Sequence, residues 1–322
     1  MASSDDAHNG LWKPLSQAAQ SVHEDTHERI AVDNNRIYFA GLSGTARFAA
    51  TLAQICKCAA GVLLDGAGFE RSSPPAPHGT FAVFLTVGNL DFNYGQVVDL
   101  SAKLGELHYA QILRRNDGPH EWAPAGVMEE AFAWFRLMAM KDGRETRDAA
   151  FVEEQAAEAD KRAKTLALSG DAYGSWLEYR QDAETFDGLS EEEAFFRKRA
   201  DALKKEKAVL DGTKLDRKEI EEQSSLTDSI YAGMDALRQS GTDDFELRSK
   251  KLESQISNLR IHADHEKNSQ KLLVDQRTLA GISMEALETG ENSCRQRTLQ
   301  APVLIWSLRL LPSLMMSWRS RR

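Results

Sequence analysis

Short runs of apolar residues alternate with segments of helical period from Ile37 to Met140. Ile37–Ala40 is the first such run and Gly61–Leu64 the second; Phe81–Val87 is the longest, and Tyr109–Leu113 closes the series. Runs of this length between turn residues read as strands, and the unbroken apolar character of Phe81–Val87 is that of a strand buried on both faces. The intervening segments predict helices: an alanine-rich one over Gly44–Ala59, another over Gln96–Leu104, and an amphipathic one over Gly126–Met140 with Phe132, Phe135 and Met138 on its apolar side. Residues 1–30 are polar, with Trp12, Leu15 and Val22 spaced as on an amphipathic helix and Pro14 suited to its first turn. Strands alternating with helices predict a parallel, doubly wound sheet, hence an α/β fold.

The pattern changes near Lys141–Arg147. From there to about Asp275 the chain is charged, alanine-rich and without a strand-like run, which predicts an all-α domain. Leu166, Tyr173, Trp176, Leu177, Tyr179 and Phe186 fall near helical spacing around a Gly170-Asp171 break. The run Ala163–Leu189 resembles one tetratricopeptide-type hairpin, with a degraded hint of another between Ile230 and Ile256. A single unit does not make a solenoid, so a bundle of packed helices is the favoured reading, with a protein partner for the helical region as the repeat-based alternative. The expected domains are 1–143 (partial α/β), 144–290 (helical) and 291–322 (an apolar and basic tail). In that tail Ala301–Trp318 is apolar but carries Pro302, Arg309 and Pro312, with Arg319, Arg321 and Arg322 behind it. It reads either as a segment lying on a membrane surface or as a non-native tail, with membrane contact the less favoured.

Composition narrows the classes. The 322 residues suffice for about two domains, and a net charge of -9 argues against general nucleic-acid binding. Cys56, Cys58 and Cys294 are too few for a disulfide framework; Cys56 and Cys58 lie two apart on a predicted helix, so they point to different faces and read as ordinary core or semi-buried thiols rather than a metal pair. Nothing in the sequence implies a metal or an organic cofactor. The first ten residues, MASSDDAHNG, lack the basic and apolar regions of a secretory signal, so the chain as given reads as cytoplasmic.

The candidate chemistry sits at the ends of the predicted strands. Gly41-Leu42-Ser43-Gly44 turns the first strand sharply into a helix with a serine at the apex. A serine hydroxyl is a poor nucleophile until a histidine takes its proton and a carboxylate orients that histidine. Asp91 follows the strongest later strand in Gly88-Asn89-Leu90-Asp91, and His120 follows the next in Gly118-Pro119-His120-Glu121-Trp122. All three fall at carboxyl ends of parallel strands, where open α/β sheets place their sites.

On these motifs the segment from about Trp12 to Met140 resembles the C-terminal half of an α/β-hydrolase of the esterase, dienelactone-hydrolase or prolyl-oligopeptidase type. The resemblance implies hydrolysis of a small ester or a peptide through an acyl-enzyme. It makes Ser43 the nucleophile, His120 the general base and then acid, Asp91 the orienting carboxylate and the Gly44 N–H one oxyanion donor. Asp65, also at a strand end, is the rival acid; His108 precedes a strand, and His78 lies in a proline-rich loop. Trp122 and Phe92 read as acyl-pocket lining or plain packing, and Arg47 as a residue facing the site or a solvated arginine.

The chain departs from the family pattern in two ways. Thr45 stands where the last glycine of the elbow belongs, and the elbow is reached with room for at most a fragment of strand and one helix before it. The second oxyanion N–H then has no evident source, and the sheet has an uncovered edge that favours association. The contrasting expectation is a non-catalytic interaction protein built on a relic hydrolase core.

Overall fold

The computed structural model describes residues 12–238 and 242–296, so the tail reading for Ala301–Trp318 concerns residues outside those described. They form two compact units, one within 1–89 and 96–214, the other within 90–95 and 215–322. Four strands and ten helices are assigned among the described residues. The opening elements are α1 (Trp12–Arg29), β1 (Ile37–Leu42), α2 (Gly44–Cys56), β2 (Ala59–Asp65) and β3 (Ala82–Gly88). Then come α3 (Tyr94–Glu106), β4 (Gln111–Asn116), α4 (Ala125–Lys141), α5 (Ala149–Leu168), α6 (Ala172–Thr185) and α7 (Glu193–Leu203). The chain continues through α8 (Lys207–Arg238), α9 (Thr242–His265) and α10 (Ser269–Gln296).

The strands form one all-parallel sheet in the order β1-β2-β3-β4. Every residue of β2 and β3 is buried, as their unbroken apolar sequences require, whereas β1 is only partly covered. Successive side chains of a strand point to opposite faces. One alternate set, Leu63, Ala82, Phe84 and Ile112, packs on Ala131, Trp134, Phe135 and Met138 of α4 and continues into α5, α6 and α7 through Ala159, Tyr179, Phe186 and Phe196. Helix α2 buries Ala46, Phe48, Ala49, Ala50 and Ala53, none of which belongs to that cluster.

In α4 the structure corrects one expectation. Phe135 and Met138 are buried, but Phe132 is 71% exposed. At about 100° per residue the inward stripe is set by Ala131, Trp134, Phe135 and Met138, and Phe132 falls to one side of it.

The expected Gly170-Asp171 break separates α5 from α6. Gly170 takes φ +89°, and Asp171 caps α6 by accepting from the Gly174 N–H at 2.7 Å. Helix α6 also treats one edge of the sheet: the buried Leu113 N–H on β4 donates to Gln181 Oε1 at 2.7 Å, and Gln181 Nε2 donates back to the Leu177 carbonyl.

In the second unit Ile230, Met234, Leu237, Leu252, Ile256 and Ile282 form the core. The short segment 90–95 is held within it. The Tyr94 hydroxyl donates to Asp216 at 2.9 Å, Gln223 Nε2 donates to the Phe92 carbonyl at 2.7 Å, and the Arg277 guanidinium lies 3.7 Å from the Tyr94 ring centroid. No helix among the described residues is long and apolar enough to cross a membrane.

Candidate functional site

Ser43 joins β1 to α2 with φ 57° and ψ -124°, a backbone conformation that a residue with a Cβ rarely adopts and that costs about 1–3 kcal/mol. Its surroundings impose it. The Ser43 N–H donates to the Asp65 carbonyl at the end of β2 (2.9 Å), and the Ser43 carbonyl accepts from Ala46 N–H (3.0 Å). The Thr45 hydroxyl donates to the Leu42 carbonyl (2.7 Å) and accepts from the Leu42 N–H (3.0 Å), closing the turn from inside. Thr45 therefore braces the elbow with its hydroxyl in the position where the sequence pattern has a glycine.

Gly41 supplies the other constraint. A Cβ there would lie 2.2 Å from the Thr45 carbonyl oxygen and 2.5 Å from the Ala46 nitrogen, both backbone atoms with no freedom to withdraw. The strand can thus run directly beneath the first turn of α2 only as glycine.

At the head of α2 the N–H groups of Gly44 and Thr45 have no hydrogen-bond partner among the described residues. They are among the orphan donors of a helix start, where the dipole also favours negative charge. The Ser43 side chain makes no capping bond to them. The serine and two open N–H donors are consequently adjacent.

The other sequence-predicted residues follow their expected strands. His120 lies in the loop between β4 and α4, partly buried. The chains leaving β3 and β4 run against each other: the Asn89 N–H donates to the Asn116 carbonyl (2.6 Å), Asn89 Nδ2 donates to Asp117 Oδ1 (2.9 Å), and a Cβ on Gly88 would lie 2.0 Å from the Gly118 carbonyl oxygen. Asp91 is 1% exposed, accepts from the Asn93 N–H at 2.7 Å in a tight turn, and belongs to the segment 90–95 of the second unit.

Asp65, the rival acid, is equally buried and lies in the first unit with Ser43 and His120. Its Oδ2 accepts from the Ala123 N–H at 2.7 Å, so it anchors the chain just beyond His120. Trp122 is 51% exposed, and Arg47 donates to Gln96 Oε1 on α3 at 3.2 Å. His78 and His108 stack on each other with centroids 6.1 Å apart.

A buried charge cluster in the first unit was missed by motif reading. Arg114 of β4 meets Glu130 of α4 (Nε to Oε1, 2.5 Å), Glu178 of α6 (3.2 Å) and Asp182 of α6 (3.8 Å). Arg162 of α5 reaches the same Glu130 at 3.1 Å and Glu178 at 3.8 Å. A cavity of about 20 Å³ lies among Arg114, Glu130, Arg162 and Asp182, large enough for one water. Asp182 Oδ2 is buried there without a hydrogen-bond partner.

Burial pushes the Asp182 carboxyl up to about 7 against the pull of Arg114. For Arg114 burial alone would lower the pKa, but Glu178, Glu130 and Asp182 more than offset it, and the guanidinium stays charged. The available signal was Arg114 itself, a charge directly after the apolar run Tyr109–Leu113.

The cysteine reading is also corrected. Helix α2 ends at Cys56, Lys57 turns into the left-handed region, and Cys58 folds back into a disulfide with Cys56. The two residues therefore do not share a continuous helix, and they are a bonded pair with Cys56 exposed rather than core or semi-buried thiols. Among the described residues no group of three or more His, Cys, Asp or Glu is arranged to hold a metal ion.

Comparison of the chain with protein-family models, with curated proteins and with solved structures returned no match.

Proposed function

We propose that this chain is a serine hydrolase acting on a small ester or a peptide bond through an acyl-enzyme. The observation that carries the reading is the strained Ser43 at the β1–α2 turn, immediately before two unpartnered helix N–H donors. Backbone strain at a polar residue beside oriented donors is the arrangement expected of a nucleophile and its oxyanion site.

In this mechanism the Ser43 hydroxyl attacks the acyl carbon while His120 takes its proton. The negative oxygen of the tetrahedral intermediate accepts from the Gly44 N–H. His120 then returns the proton to the leaving alcohol or amine, and a water molecule repeats the cycle to release the acid. Asp91 is assigned the orienting carboxylate on chain order and strand end; Asp65 is the alternative within the first unit.

A fluorophosphonate probe tests the activated serine directly. The intact chain should be labelled once, and Ser43→Ala and His120→Ala should abolish labelling while the circular dichroism spectrum is unchanged. Of Asp91→Asn and Asp65→Asn, the one replacing the orienting acid should slow labelling by about 10³–10⁴-fold. A folded chain that the probe leaves unlabelled would exclude this reading and favour the non-catalytic one.

A further inference from the structure

Cys56 and Cys58 lie at the opposite end of α2 from Ser43 and play no part in the hydrolytic proposal. Only Lys57 separates them, and its φ 53°, ψ 18° turn brings the Cα atoms of the cysteines to 5.1 Å. A staple across a single intervening residue removes little freedom from the unfolded chain, because the entropic effect of a cross-link grows with the loop it closes. It also joins no distant elements of the fold. Stability of the unit gives this bond little reason to exist.

Its surroundings favour exchange. Cys56 and Lys57 are exposed and Cys58 is partly exposed, so a thiol in solution has access to the pair. The Cys58 N–H points at Cys56 Sγ from 3.1 Å, where it would stabilise negative charge on that sulfur. Cys56 is thereby the better leaving group and Cys58 the sulfur open to attack.

We propose that Cys56 and Cys58 form an exchangeable dithiol–disulfide couple that takes two electrons from small-molecule thiols of the glutathione type. In the first step a thiolate attacks Cys58 Sγ; the Cys56–Cys58 bond breaks, a mixed disulfide forms on Cys58, and Cys56 departs as a thiolate that then takes a proton. In the second, another thiolate attacks the sulfur of the bound small thiol, releasing the oxidised small disulfide and the Cys58 thiolate, which is protonated in turn. The protein gains two electrons and two protons, and two small thiols are oxidised to one disulfide.

The test uses the full chain with Cys294→Ser, equilibrated in glutathione mixtures from fully oxidised to fully reduced, alkylated, and weighed intact. Two thiols should appear together and reversibly across the series, with circular dichroism showing the fold retained. Persistence of the disulfide in fully reduced glutathione, or thiols that fail to pair in the oxidised mixture, would overturn the proposal.

The single variants test the direction of attack. Cys56 left alone by Cys58→Ser should be alkylated about threefold faster than Cys58 left alone by Cys56→Ser. That modest factor is expected because the N–H beside its sulfur favours the Cys56 thiolate, while the same stabilisation lowers its nucleophilicity and offsets part of the gain. Equal rates would remove the assigned leaving group.

Discussion

Replacing Arg114 by leucine should destabilise the first unit by about 3–5 kcal/mol, the range found when one partner of a buried ion pair is removed. The loss is large because of what remains. Glu130, Glu178 and Asp182 converge on the guanidinium from α4 and α6, and only Arg162, from α5, would be left to offset their charge. Urea unfolding followed by circular dichroism measures this directly, and a change below about 1 kcal/mol would mean that water already screens the cluster.

The same cluster sets a pH dependence whose sign is fixed by Asp182. Its carboxyl is held at about 7 in the folded chain and has the ordinary value of 3.8 when unfolded. Between those values the folded state keeps a proton that the unfolded state releases, so stability falls as pH rises from about 4 to 7 and levels off above. The groups facing Asp182 are Arg114 from β4, Glu130 from α4, Arg162 from α5 and Glu178 from its own helix. Asp182→Asn should remove this contribution, leaving stability near pH 4 unchanged and raising it above pH 7 by roughly 2–4 kcal/mol. Chemical denaturation at a series of pH values distinguishes the two curves.

Gly41→Ala should have the second large effect, through geometry alone. The added methyl meets the Thr45 carbonyl carbon and oxygen within 2.3 Å, and neither can move unless α2 lifts from β1 or the Ser43 turn relaxes. Overpacking against side chains costs about 1–3 kcal/mol, and against fixed backbone the upper end or beyond is expected. Fluorophosphonate labelling should disappear as well, because any relaxation of the turn moves the Ser43 hydroxyl. Gly126→Ala is the control: nothing lies within 4 Å of a Cβ there, in the first turn of α4, and its stability should stay within about 1 kcal/mol of the parent. A Gly41→Ala chain as stable and as reactive as the parent would show that the elbow is not held by this contact.

Strands β2 and β3 were legible because burial on both faces leaves an unbroken apolar signature, and β3 at Ala82–Gly88 lies within one residue of the run Phe81–Val87. The bend at Ser43 was legible for a similar reason: a glycine before and after a serine, at the end of such a run, has few other uses. The role of Thr45 was not. A β-branched residue reads as an intrusion until its hydroxyl is seen to occupy both Leu42 backbone groups.

Nor was the Cys56–Cys58 bond legible, because it depends on α2 stopping one residue short of Lys57, and helix ends are set by local backbone geometry rather than by period. The Arg114 cluster was hidden for another reason. Its members come from β4, α4, α5 and α6, and no spacing along the chain signals a meeting of charges that only tertiary packing brings about.

The Leu113–Gln181 hydrogen bond has a consequence beyond its own strand. A sheet with both margins open can recruit copies on either side and run on as a fibre. Among the described residues the β4 margin is interrupted near its middle by a side chain from α6, so a strand approaching there meets a donor that is already taken. Growth by strand addition along β4 is therefore disfavoured without any change to the strand itself.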